Sequence, residues 1–92
     1  MNVPAHASDA RVVVYSRPGC HLCEDAERIV AEVCAETGDV WARFDITDDP
    51  DLVSRFTEQV PVTFIDGSQH DFWTVDPSRL RSALARDRRQ VR

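Results

Sequence analysis

Cys20 and Cys23 sit in the stretch Tyr15-Ser16-Arg17-Pro18-Gly19-Cys20-His21-Leu22-Cys23, after a short β-branched run, Val12 to Val14, and before a long amphipathic segment. The spacing therefore places both thiols where a strand hands over to a helix. Nucleophilic sulfur is thiolate, and the first turn of a helix offers unpaired N–H groups and the positive end of the macrodipole, both of which favour the anion. Residues three apart on a helix are neighbours, about 5–6 Å between Cβ atoms, within a small adjustment of disulfide reach. Cys20 is thus the expected attacker of a substrate disulfide, and Cys23 the thiol that displaces the product and closes the ring.

A Cys-x-x-Cys pair is also half of a zinc site. Zinc commonly needs a second such pair or two well-spaced histidines, whereas Cys34, His6, His21 and His70 are scattered without ligand spacing. No metal is expected. Cys34 lies about 16 Å beyond Cys23 along the same helix, too far to pair with it. A buried core thiol is the expected reading, with a regulatory thiol as the alternative.

The elements that must position the pair follow from periodicity. Arg11 to Tyr15 reads as a buried strand. Leu22, Ala26, Ile29, Val30, Val33 and Cys34 recur at helical steps, and Gly38 stops a helix over about 21–36. Val40 to Ile46 alternates as a second strand, with Val40, Ala42, Phe44 and Ile46 on one face and Trp41 and Arg43 on the other. Asp49-Pro50 caps a helix carrying Leu52, Val53, Phe56 and Val60. Val62 to Ile65 is a third strand, Asp66-Gly67 signals a hairpin, and Gln69 to Val75 is the returning strand. Asp76-Pro77 starts a last helix with Leu80, Ala83, Leu84 and Val91 inward. The order is β-α-β-α-β-β-α, an α/β domain over 11–92 with a four-stranded mixed sheet, its first two strands parallel through a right-handed crossover. Residues 1–10 show no periodicity and are expected to be a flexible tail.

Composition narrows the function classes. With 42% hydrophobic and 29% charged residues over 92 positions, the chain suits one small globular domain. No stretch reaches membrane-span length and no signal-peptide pattern opens it, so no membrane association and a cytoplasmic location are expected. An odd cysteine count fits a reducing compartment. The net charge of −5 divides into −9 over residues 1–75 and +4 over 76–92. Cations near a helix C-terminus account for the basic end without nucleic-acid binding.

Taken together, Ser16 to Cys23, Asp45-Ile46-Thr47-Asp48-Asp49-Pro50 and Val60-Pro61-Val62-Thr63-Phe64-Ile65-Asp66-Gly67 resemble the thioredoxin superfamily. Within it, residues 11–90 are most similar to a short bacterial glutaredoxin-like group with histidine and leucine between the cysteines. The resemblance implies a thioredoxin-like fold and a monomeric thiol-disulfide oxidoreductase in electron transport. It also implies a cis Pro61 beside the Cys20 sulfur, with the Val60 backbone free to pair with a substrate. Arg17 occupies a position where glutaredoxins often carry a lysine; it can fork onto a carboxylate or stand solvated.

His21 replaces a usual proline, and its charge would tune Cys20, against Glu24 and Asp25 in the same turn. Where glutaredoxins usually carry a Gly-Gly that lets glutathione approach, this chain has Phe72-Trp73-Thr74-Val75-Asp76; Trp73 argues against that approach. Asp76 either keeps a substrate role or caps the helix. The expected partners are a disulfide-containing protein or a glutathione mixed disulfide, with glutathione or thioredoxin reductase as electron source and no tightly bound cofactor. Two other classes are a sensing or protein-binding module that oxidises once, and glutathione-supported iron–sulfur carriage.

Overall fold

β1 (Val12–Ser16) is buried along its whole length. Its β-branched valines suit an interior strand covered on both faces. The computed structural model describes residues 10–90, with side chains to residue 86. Most of the expected tail, including His6, and Val91, expected to face inward, lie outside the described residues. β1 leads to α1 (His21–Thr37), β2 (Trp41–Asp45), a 3-10 turn (Ile46–Asp48), α2 (Pro50–Phe56), the hairpin β3 (Val62–Ile65) and β4 (Ser68–Phe72), and α3 (Pro77–Gln90). The sheet order is β2-β1-β3-β4. β1 runs parallel to β2 and antiparallel to β3, so Ser16 lies beside Asp45 and Tyr15 beside Val62.

Alternation along β1 divides the core. Val12 and Val14 join Val30, Val33, Cys34, Leu80, Ala83 and Leu84 beneath α1 and α3. Val13 and Tyr15 face Phe56, Val60 and Val62 on the α2 side. There Tyr15 meets Phe44, Phe56 and Phe64 at ring-centroid distances of 5.7, 5.5 and 5.3 Å. Arg81 grips Glu36 with two hydrogen bonds of 2.7 and 3.1 Å, clamping α3 to α1. Among the described residues no helix is long and apolar enough to cross a membrane.

Local signals set the turns. Asp66 and Gly67 both have positive φ, 50° and 86°, the handedness that a two-residue hairpin needs to match strand twist. Asp49 accepts from the N–H groups of Asp51 and Leu52 and caps α2.

Three expectations need correction. Val40 is exposed and precedes β2, while Ile46 is buried from the 3-10 turn instead of the strand. Leu22 is 46% exposed, because the buried stripe of α1 starts at its neighbour Cys23 and runs through Ala26, Val30, Val33 and Cys34, leaving Leu22 off that face. β4 ends at Phe72, not Val75, since Trp73 takes a φ of 68° and turns the chain away from the ladder.

Candidate active site

The end of the sheet where β1 finishes gathers the chemistry. Cys20 is the N-cap of α1, and its sulfur accepts the Cys23 N–H at 3.1 Å. This hydrogen bond and the dipole of a seventeen-residue helix both favour negative charge at Cys20. Cys20 and Cys23 are joined in a disulfide, with Cα atoms 5.2 Å apart. Cys20 is half-buried, whereas Cys23 is 1% exposed beneath it. An incoming disulfide can therefore meet only the first sulfur.

Cys34 lies in the core between α1 and α3. Burial, reinforced by Asp39, pushes its thiol up to about 11, which keeps it protonated and inert near neutrality. Among the described residues no group of three potential ligands could hold a metal ion.

A cleft of about 440 Å³ opens beside Cys20. Arg17, His21 and Leu22 line it from the β1–α1 junction, Thr57 and Glu58 from the end of α2, and Val60 and Trp73 from the far side. Of the residues singled out in the sequence, Arg17, Cys20, His21, Val60 and Trp73 thus share one cleft. Cys23 and Pro61 are buried, and the Val60–Pro61 bond is cis. The Val60 backbone is half committed, contrary to expectation. Its N–H donates to the Phe56 carbonyl at 3.0 Å, closing the turn after α2, and leaves only its carbonyl for a strand-like partner.

Trp73 is the most constrained wall. Its backbone N–H donates to the Pro61 carbonyl at 2.8 Å, its indole N–H to the Glu58 carbonyl at 2.9 Å, and its ring meets Phe72 edge-on at 5.0 Å. Asp76 stands apart from this cleft. It accepts the N–H groups of Ser78 and Arg79 and caps α3. The His21 side chain is 97% exposed and lies 3.9 Å from Glu24, turned to solvent.

Leu22, Thr57 and Glu58 were not among the expected site residues. Leu22 carried only the signal of an apolar residue in a reactive first turn; the other two carried none, since their place depends on how α2 ends. Nor did the sequence reveal the link beneath the site. The buried Ser16 hydroxyl donates to Glu27 at 2.7 Å, and Arg43 donates to the same carboxylate oxygen at 3.0 Å, joining β1, α1 and β2.

Residues 11–85 match the model of the family described as Glutaredoxin-like domain (DUF836). The chain belongs to this glutaredoxin-like family. It is 33% identical over 84 residues to the uncharacterized protein Rv0508 of Mycobacterium tuberculosis, covering 86% of this chain and 87% of that one. Among solved structures, protein XcR50 from X. campestris is 33% identical with a TM-score of 0.69, over 82% of this chain and 96% of that one. A mutant thioredoxin from Halobacterium salinarum is 26% identical with a TM-score of 0.59, over 86% and 76% of the two chains. The glutaredoxin-like domain thus has a thioredoxin-like α/β fold. Its adjacent cysteine pair supports a redox-type function.

Proposed function

We propose that this glutaredoxin-like protein is a thiol-disulfide oxidoreductase working by a dithiol mechanism. The observation that carries it is the asymmetry of the pair, a partly exposed Cys20 at a helix N-terminus bonded to a buried Cys23. In the reduced protein the Cys20 thiolate attacks a substrate disulfide, forms a mixed disulfide and expels one substrate thiolate. The Cys23 thiol then gives up its proton, taken by the expelled substrate thiolate, and the Cys23 thiolate attacks the Cys20 sulfur. The second substrate thiolate leaves, and the 20–23 disulfide forms. Two electrons have passed to the substrate and must return from an external thiol donor, either glutathione or a thioredoxin reductase. No step needs a bound cofactor or metal.

In this scheme Pro61 and the Val60 carbonyl shape the substrate edge, and Arg17 offers a cation beside it. The setting is the cytoplasm, where a thiol supply keeps the pair cycling. The test is repeated reduction of a model disulfide, first with reduced glutathione, glutathione reductase and NADPH, then with thioredoxin reductase as donor. Cys20→Ser abolishes turnover, and Cys23→Ser accumulates a mixed disulfide on Cys20 that mass spectrometry detects. Turnover retained in Cys20→Ser would sink the assignment. A single stoichiometric oxidation with neither donor able to reverse it would make the protein a redox sensor instead.

A further inference from the structure

The large apolar side chains exposed on the described surface are unevenly placed. Leu22, Phe72 and Trp73 gather at the Cys20 end of the sheet, and Val40 stands at the other. Trp73 is 51% exposed yet fixed by hydrogen bonds from both its backbone and its indole N–H and by a ring contact, at a φ of 68° that a bulky residue adopts only where its surroundings compel it. A rigid indole that is not buried is a preorganised contact surface, since little side-chain freedom remains to be lost on binding.

The polar groups of the cleft narrow what it fits. With the Val60 N–H given to Phe56, its carbonyl is the group of that backbone left without a hydrogen bond among the described residues, and it calls for a donor such as a peptide N–H. Arg17 is exposed and makes no ion pair among the described residues, so one wall carries a cation open to a carboxylate.

Granted the oxidoreductase reading on which this rests, we infer that the cleft docks an extended polypeptide whose oxidised cysteine is flanked by a large apolar residue and an acidic one. The apolar side chain lies on Trp73 and Leu22, a peptide N–H meets the Val60 carbonyl, and the carboxylate meets Arg17. Trp73 and Leu22 then set specificity, and glutathione mixed disulfides are the poorer substrates.

Single-turnover kinetics test this without a choice of reductant. The reduced protein is mixed with short peptides whose one cysteine is capped as a mixed disulfide with cysteamine. One peptide carries flanking Phe and Glu, a second Ser and Glu, and a third Phe and Lys; the glutathione–cysteamine disulfide is the fourth probe. The first peptide should oxidise the protein about tenfold faster than the second, the scale set by burying one large apolar group. Its advantage over the third should be roughly two- to threefold, as for an exposed ion pair. Leu22→Ser and Trp73→Gly should each shrink the Phe-over-Ser preference to about threefold or less.

Equal rates for the first two peptides, a preference that survives both substitutions, or fastest reaction with the glutathione probe would overturn the docking site and leave the oxidoreductase standing. So would a dimer that buries Trp73, seen as a concentration-dependent sedimentation coefficient. Rates no faster than those of a free dithiol for every probe would overturn the underlying reading as well.

Discussion

Where β1 begins, one side chain holds four parts of the chain together. Arg11 donates to Asp39 after α1, to Asp66 in the hairpin and to the Leu84 carbonyl of α3, while its own carbonyl accepts the Asp66 N–H from β3's end. Hydrogen bonding to Asp66 and Asp39 raises the guanidinium pKa above its ordinary value, against the opposing effect of burial. Where β1 finishes, polar bonding is spent differently. Hydrogen bonds at Trp73 and Val60 hold the walls of a cleft open, and apolar surface faces water instead of being covered. One end is closed by complementary charge, the other kept rigid but unfilled. A small domain with little stability to spare can keep such an open end because the opposite one is tied down.

The largest test of this contrast is Arg11→Met, which removes the hydrogen bonds to Asp39, Asp66 and the Leu84 carbonyl together and should cost roughly 2–4 kcal/mol in denaturant unfolding. Thiol exchange at Cys20 should keep its rate, and a parallel loss of both would show the two ends to be one unit.

Next comes an alkaline window that reports the same closed end. The Cys34 thiol ionises near the ordinary 9 in the unfolded chain but only near about 11 when folded, chiefly because it is buried. Its raised pKa leaves stability whole below pH 9 and removes it as pH climbs from 9 to 11. Cys34→Ala should flatten that fall, leaving the part due to Tyr15, whose phenol is also raised by burial; an unchanged slope would exclude Cys34 as its source.

The smallest effect belongs to the open end. Trp73→Gly frees a positive-φ position while losing an indole hydrogen bond and a ring contact, so unfolding free energy should move by less than ~1 kcal/mol. A loss above ~2 kcal/mol would make Trp73 a structural staple like Arg11.

The closed end and the layers were the more legible from sequence. Valines of β1, the α1 stripe from Ala26 to Cys34, Asp66-Gly67 and the cap at Asp49-Pro50 each signal through their own neighbours, because period and turn chemistry are local properties. The cysteine pair was legible for the same reason. The cleft was legible in part: Arg17, His21, Val60 and Trp73 stood out beside Cys20, but Leu22, Thr57 and Glu58 did not, because their places depend on how separate elements end. Leu22 fits a buried stripe but lies off the face that starts at Cys23, Val60 gives its N–H backward to α2, and nothing in Phe72-Trp73-Thr74 announces a positive φ at a bulky residue. Asp76, a candidate for substrate binding, had the alternative role of helix cap written in the proline that follows it.

The sheet order also bears on how the molecule breathes. β1 is bonded on both sides, to β2 and β3, while β2 and β4 each have an outer edge without a strand partner among the described residues. Amides in β1 therefore exchange with deuterated solvent only in the rarest openings, and those of the outer strands exchange sooner. The reactive loop hangs from the strand that opens last, so its sulfurs can be made and broken repeatedly above a seam that stays shut.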